Sequence, residues 1–228
     1  MKTVGIIGGL GPQTSAEFGL EVINLCLKKN KKQRPPILSW NVPMPIKVER
    51  DLIRKNIGEK RYLSFLIKAA KTLEKAGPDF LVLPCNSMHI FIEEIRDSVK
   101  IPMLSIVDET LLFIKKRKIS KVGILATSTT IKKNLFQKRL KAIGVKTVIP
   151  DKRQQKKIDK IIHNLVMGEQ NPEDKIIIDQ IIESMKIKGI RNIILACTDL
   201  QLIIKERLDV LIFDTMQILA KATANKIL

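Results

Sequence analysis

The chain has 228 residues, of which 45% are apolar and 28% are charged, and its formal net charge is +18. This composition is typical of a globular protein and excludes a disordered chain, and the length suits one or two domains with a sizeable core. No apolar run approaches the ~18 residues of a membrane span, so no membrane partner is expected.

The cysteines and histidines exclude several kinds of site. Cys26, Cys85 and Cys197 are an odd number without CxxC spacing, so neither a disulfide framework nor a zinc ribbon is expected. With only His89 and His163 available, a histidine-based metal site lacks ligands, and we predict no metal. A cytoplasmic location is the default for such a set of cysteines.

The positive charge is spread along the chain, with lysine-rich clusters at 28–32, 115–118 and 152–157. Only nine aromatic residues are present, which leaves little surface on which bases could stack. We therefore expect a solvated basic surface and no nucleic-acid partner. Such a positive field can also attract a small acidic substrate.

The predicted elements alternate between strands and helices. In the first half, strands are predicted at 4–7, 37–41, 80–83 and 103–106, and helices at 15–27, 63–76 and 88–99. In the second half, strands are predicted at 122–125, 145–149, 192–195 and 210–213, and helices at 132–142, 158–166, 176–186, from 200 to 205, and at the end of the chain. This alternation predicts an α/β fold with parallel sheets flanked by helices.

The two halves resemble each other in sequence. VGIIG at 4–8 matches VGILA at 122–126, and LVLPCNS at 81–87 matches IILACTD at 193–199. A repeat of this length indicates a duplicated domain rather than a solenoid. We expect two similar domains, 1–105 plus 209–228 and 106–208, related by a pseudo-two-fold axis with the active site in the cleft between them.

Cys85 and Cys197 are the strongest catalytic candidates. Each follows a predicted strand and precedes a helix, and ligands bind outside the carboxyl ends of parallel strands. If the two halves face each other, one thiolate can remove a proton from a carbon and the other thiol can return a proton to the opposite face. Cys26 lies inside an amphipathic helix and is expected to be an ordinary buried side chain.

Two loops are candidates for substrate binding. In the glycine-rich loop after the first strand, Gly9 and Gly11 allow close backbone approach. Thr14 stands where a dinucleotide-binding GxGxxG motif needs its third glycine, so that motif is rejected. The equivalent loop of the second half supplies hydroxyl groups for a carboxylate, from Thr127, Thr129 and Thr130.

Four motifs resemble the aspartate/glutamate racemase family: GIIGGLGP at 5–12, LPCNSMH at 83–89, ATST at 126–129 and LACTDL at 195–200. The similarity runs through the whole chain, and the opening is most similar to the aspartate racemase branch. The resemblance implies two α/β domains about a pseudo-dyad, commonly a homodimer, and cofactor-independent racemisation with Cys85 and Cys197 as the two bases. It also implies that the amino and carboxylate groups of the substrate are held by Asn86, Ser87, Thr127, Thr129, Thr130 and Thr198.

The chain departs from the family where an acidic side chain would bind. Family members that act on aspartate usually carry an Arg near position 48 and a Lys before a glycine, whereas here those places hold Val48 and Val166-Met167. Lys47 or Arg50 is the expected substitute, and a small acid such as aspartate is the expected substrate.

His89 and Asp199 lie next to the cysteines and can tune their protonation, although a hydrogen-bonding role at the start of a helix suits His89 equally well. Three alternatives remain open. They are a related isomerase of the hydantoin racemase or maleate isomerase type, in which one cysteine acts as a nucleophile; a non-catalytic small-acid binding protein; and a nucleic-acid binder with strongly salt-dependent affinity.

Overall fold

Two parallel sheets with the same strand order form the framework of the protein. The computed structural model describes residues 1–55, 57–204 and 207–228, apart from the side chain of residue 54. The first sheet has the order β2-β1-β3-β4 and comprises β1 (Val4–Gly8), β2 (Ile37–Asn41), β3 (Phe80–Val82) and β4 (Met103–Leu104). The second has the order β6-β5-β7-β8 and comprises β5 (Lys121–Ala126), β6 (Lys146–Val148), β7 (Asn192–Ala196) and β8 (Leu211–Asp214).

The register of the central strands is equivalent in the two sheets. β1 pairs with β3 from Val4↔Phe80 to Ile6↔Val82, and β5 pairs with β7 from Gly123↔Ile193 to Ala126↔Ala196. These strands are buried runs of apolar residues, as expected for sheets covered on both faces. The predicted α/β class and the internal repeat are confirmed.

Helices cover both sheets. In the first half they are α1 (Pro12–Lys29), α2 (Ile46–Lys55), α3 (Lys60–Lys75), α4 (Ile92–Asp97) and α5 (Ile106–Lys116). In the second half they are α6 (Ser128–Lys132), α7 (Gln137–Ala142), α8 (Lys152–Met167), α9 (Pro172–Ile187) and α10 (Thr215–Ile227). Two short 3₁₀ helices, Ser87–Phe91 and Thr198–Leu202, follow the cysteines. Among the helices in the described ranges, none is long and apolar enough to cross a membrane.

Some predicted helices differ from the observed ones. The single helix predicted at 132–142 is divided into α6 and α7, and Asn134 between them has a left-handed φ of 54°. The helix predicted from 200 to 205 is instead the 3₁₀ helix Thr198–Leu202, and residue 205 lies outside the described residues. Helix α2 was not predicted, because its ten residues are mostly polar, although its few apolar side chains fall on one face.

The predicted domain boundary at 209 needs a correction. We expected 209–228 to return to the first domain, but β8 pairs in parallel with β7 and completes the second sheet. Only α10 returns, where it packs on α1 and α5. β8 stays with the second sheet because it satisfies the backbone hydrogen bonds at the free edge of β7. α10 leaves that sheet because its apolar face is buried against α1 and α5.

One hydrophobic core connects the first unit, residues 1–105 with the first sheet, to the second unit, residues 106–214 with the second sheet. It contains Ile6 and Phe18 from the first unit, Ile124 and Phe136 from the second, and Leu219 from α10. Two further clusters lie within the first and the second unit. The relative position of the two sheets is therefore set by continuous apolar packing.

Phe18 tests which face of α1 supports this core. Its side chain is fully buried, so Phe18→Ala should lower the free energy of unfolding by about 3–5 kcal/mol. Leu20 lies on the same helix and is 59% exposed, so Leu20→Ala should change it by less than about 0.5 kcal/mol. Urea denaturation of both variants checks this, and equal losses would contradict the assigned orientation of the helix.

Candidate active site

Both predicted catalytic cysteines lie at the carboxyl ends of equivalent strands and line one cavity. Cys85 follows β3 and Cys197 follows β7, and a 3₁₀ helix begins directly after each turn. Cys85 is half-buried, and Cys197 is 6% exposed. The two sulfurs influence each other electrostatically, because the charge on Cys85 raises the pKa of Cys197.

The cavity is formed by both units and is small. Its volume is about 50 Å³, in a measure where one water needs roughly 10–15 Å³. The first unit lines it with Leu10, Gly11, Glu49, Leu52, Ile53, Tyr62, Cys85, Asn86, Ser87 and Met88. The second lines it with Thr127, Thr129, Ile162, Val166, Cys197, Thr198 and Asp199. The structure thus brings together most of the predicted site residues.

Hydroxyl groups connect the two units beside Cys85. Ser87 Oγ lies 2.8 Å from Thr127 Oγ1 and 3.1 Å from Thr130 Oγ1, and the two threonine oxygens are 3.1 Å apart. Thr127 is also the N-cap of α6 and accepts from the backbone N–H of Thr130. Thr130 is fully buried and does not line the cavity, so its hydroxyl positions Ser87 and Thr127.

A carboxylate takes the equivalent place beside Cys197. The Cys197 thiol donates to Asp199 Oδ2 over 3.7 Å, and Thr14 Oγ1 donates to Asp199 Oδ1 over 3.0 Å. Thr14 comes from the first unit, so each residue two positions after a cysteine is held by a hydroxyl of the opposite unit. The sequence analysis noted Thr14 only as a missing glycine and did not identify this role.

Asn86 and Thr198, the residues next to the cysteines, also make contacts across the cleft. Asn86 Nδ2 donates to Thr215 Oγ1 over 2.9 Å, and Thr198 Oγ1 donates to the carbonyl of Pro84 over 3.4 Å. Within the described part of the chain, no group donates to the buried Asn86 Oδ1. This oxygen can therefore accept a hydrogen bond from a ligand in the cavity.

His89 contacts the backbone around Cys85 rather than its thiol. Its Nδ1 donates to the carbonyl of Cys85 over 2.8 Å, and its Nε2 accepts from the backbone N–H of Ile106 over 3.0 Å. Burial lowers the pKa of His89 to about 4, so the imidazole is neutral. Both ring nitrogens are occupied, so His89 is placed to fix the turn that carries Cys85.

Besides Thr130, two predicted substrate-binding residues do not line the cavity. Gly9 has φ of +87° and packs against the backbone of Val42, which leaves no room for a Cβ. Arg50 is exposed on α2, because Glu49, Leu52 and Ile53 occupy the helix positions that face the cavity. The expectation that Arg50 binds a substrate carboxylate is therefore corrected.

The acidic groups of the cavity have raised pKa values. Burial raises the pKa of Cys85 to about 12 and that of Cys197 well above its ordinary value. Burial also raises the pKa of Asp199 to about 6, and burial together with the charge of Asp199 raises that of Glu49 to about 7. No lysine or arginine is among the described residues that line the cavity. Such shifts are typical of functional sites.

Comparisons with known proteins agree with this architecture. The family model described as Asp/Glu/Hydantoin racemase matches residues 7–223. The broad specificity amino-acid racemase RacX of Bacillus subtilis (strain 168) is 30% identical over 227 residues, which cover 97% of this chain and 96% of that protein.

Two solved structures of related proteins have the same fold as this chain. An aspartate racemase homologue from Pyrococcus horikoshii superposes with a TM-score of 0.79 and 28% identity, covering 100% of this chain and 99% of that one. The aspartate racemase of Picrophilus torridus superposes with a TM-score of 0.82 and 25% identity, covering 100% and 94% of the two chains. Sequence and fold together show that this chain belongs to the Asp/Glu/hydantoin racemase family of isomerases.

Proposed function

We propose that this protein is a cofactor-independent amino-acid racemase in which Cys85 and Cys197 are the two bases. The observation that carries the proposal is their equivalent placement: each ends the same strand of its own sheet, and both line one small cavity. A relative named as an amino-acid racemase over nearly the full chain supports the same activity.

Racemisation needs one proton to leave and one to arrive on opposite faces of a carbon. The thiolate of one cysteine takes the α-proton and becomes a thiol, and the electron pair moves into the substrate carboxylate. The thiol of the other cysteine then delivers its proton to the opposite face and becomes the thiolate. The α-carbon is inverted, the total number of protons is unchanged, and the reverse reaction exchanges the two roles.

The surroundings provide different partners for the two sulfurs. Asp199 accepts the hydrogen bond of the Cys197 thiol, so it is placed to take the thiol proton when the site is loaded. A Cys85 thiolate is stabilised by the backbone N–H groups of Ser87 and Met88 at the start of the 3₁₀ helix. The ammonium group of a bound amino acid adds a positive charge that lowers both thiol pKa values.

The α-substituents of the substrate have suitable partners in the cavity. Hydroxyl groups of Thr127 and Thr129 are placed to donate to the α-carboxylate, where negative charge develops during proton removal. The hydroxyl of Thr198 also lines the cavity, and it joins them only by giving up its bond to the carbonyl of Pro84. Asn86 Oδ1, which receives no hydrogen bond from the described residues, suits the α-ammonium group. These groups hold any α-amino acid and leave the side chain to be selected elsewhere.

Aspartate, the substrate expected from the resemblance, finds little support in the cavity. Val166 lines the cavity, and Val48 packs against the core of the first unit. The described lining contains two carboxyl groups and no cation, so a second substrate carboxylate would meet like charge.

Loss of the α-proton signal in D₂O tests the activity directly. Wild-type protein incubated with a panel of L-amino acids should replace the α-proton of at least one by deuterium and form the D-enantiomer, as measured by proton NMR and chiral chromatography. Isomerisation of maleate or a hydantoin instead would favour the related isomerases, and saturable binding without exchange would favour the binding protein.

Each catalytic cysteine should be essential. Cys85→Ser and Cys197→Ser should each reduce racemisation by roughly 10²- to 10⁴-fold while circular dichroism shows an unchanged fold. Cys26→Ala is the matched control, because Cys26 is fully buried in α1 and away from the cavity. Full activity in either serine variant would contradict the two-base mechanism.

Gly11 tests the importance of the Asp199 position. It has φ of +77°, and a Cβ there would lie 2.5 Å from Asp199 Oδ1 and 2.6 Å from Thr14 Oγ1. Gly11→Ala should therefore displace Asp199 and lower kcat by about tenfold or more. Gly77→Ala is the control, since Gly77 also has a positive φ but its Cβ would meet nothing within 4 Å. Equal kcat in the two variants would argue against a role for Asp199.

The thiols of the empty site should react slowly near neutral pH. Because burial raises the pKa of Cys85 to about 12, the thiolate fraction is small and grows only as the pH rises. In a Cys26→Ala, Cys197→Ser protein, the rate of alkylation by iodoacetamide should still be rising at about pH 10. A plateau near neutral pH would show that the empty site already stabilises a Cys85 thiolate.

A further inference from the structure

The side of the cavity formed by α2 and α8 is apolar except for one carboxyl group. Helix α2 contributes Glu49, Leu52 and Ile53, and α8, which packs against it, contributes Ile162 and Val166. We call these five residues the side-chain wall. It does not include the cysteines or the polar groups assigned to the α-ammonium and α-carboxylate, so it is where a substrate side chain would be accommodated.

Glu49 differs from the other acidic residue on its helix. Asp51 pairs with Lys55 at 3.0 Å and with Arg61 at 3.2 Å. Glu49 is only 8% exposed, and among the described side chains no cation pairs with it. Burial without a compensating charge, together with nearby Asp199, raises its pKa to about 7. A buried carboxyl group with no cation beside it among the described residues is most stable when a ligand supplies the positive charge.

We propose that Glu49 selects substrates whose side chain ends in a positive charge, so that this racemase acts on basic α-amino acids. The methylene groups of such a side chain pack on Leu52, Ile53, Ile162 and Val166, and the terminal ammonium or guanidinium group pairs with Glu49. This inference rests on the proposed racemase activity and adds the class of side chain to it.

The arrangement also explains the exclusion of acidic substrates. A substrate side-chain carboxylate on the wall would lie near Glu49 and Asp199, whose own interaction already raises the pKa of Glu49. A third negative group in this small cavity is unfavourable, because opposite charge is absent from the described lining and both carboxyl groups are almost completely buried.

Matched pairs of amino acids isolate the effect of the charge. Ornithine and norleucine differ only by a terminal ammonium in place of a methyl group, and 2,4-diaminobutyrate and norvaline form a shorter pair. One of the two pairs will fit the length of the cavity better and be exchanged faster. In the D₂O exchange assay, the cationic member of that pair should have a kcat/KM at least about tenfold above that of its neutral partner. The kcat/KM values of aspartate and glutamate should be lower than those of both members.

Glu49→Gln should remove this preference while keeping the shape of the side chain. The ratio of kcat/KM for ornithine over norleucine should fall to near one, mainly through KM for ornithine, with norleucine unchanged or improved. Glu94→Gln is the control, because Glu94 is exposed on α4 and does not line the cavity. A preference that persists in Glu49→Gln would overturn the assignment, and the ratio in the wild type remains decisive should that variant fail to fold.

The outcomes separate this inference from the proposed function. Exchange of norleucine as fast as ornithine by the wild type would overturn the role of Glu49 and leave the racemase activity standing. Absence of exchange with every amino acid would refute the activity. Calorimetric titration would then decide the selectivity: tighter binding of ornithine than of norleucine, lost in Glu49→Gln, supports it, and equal binding overturns it.

Discussion

The site depends on the constraint that two parallel sheets present their carboxyl ends to one space. A continuous core holds the sheets in position, and hydrogen bonds across the cleft set the final geometry. Ser87 of the first unit is held by Thr127 of the second, and Asp199 of the second by Thr14 of the first. Because each unit positions the residue next to the other unit's cysteine, neither half can form this site alone.

The symmetry of the framework does not extend to its chemistry. Cys197 faces a carboxylate, whereas the corresponding neighbour of Cys85 is a serine hydroxyl. Burial raises the pKa of both thiols; Asp199 adds to the rise at Cys197, and the backbone N–H groups of Met88 and Ser87 oppose it at Cys85. In the proposed two-base mechanism, Cys197 is thus better prepared to donate a proton and Cys85 to accept one, although both roles are needed in either direction. The ammonium group of a bound substrate would have to reduce this difference.

The sequence was sufficient to predict what depends on strong local patterns. Apolar runs predicted the strands, and the repeated position of Cys85 and Cys197 after equivalent strands predicted the centre of the site. Helix α2 was missed because most of its ten residues are polar. With α2 unrecognised, Glu49 could not be assigned to the cavity, and the resemblance to the family pointed only to Lys47 or Arg50 as a cation in this segment. The contact between Thr14 and Asp199 spans 185 residues and has no local signature.

The net charge of the protein and the charge of its site have opposite signs. The chain carries a large excess of positive charge, and the long-range electric field of that charge favours the approach of an acidic ligand. Exposed charges are screened within roughly 8–10 Å at ordinary salt, whereas groups in an enclosed cavity are screened much less. Glu49 and Asp199 therefore govern what is stable inside the cavity, and the lysines govern only what approaches it. In the proposed function, selectivity at equilibrium follows the two buried carboxyl groups, because a ligand in the cavity would interact with them directly.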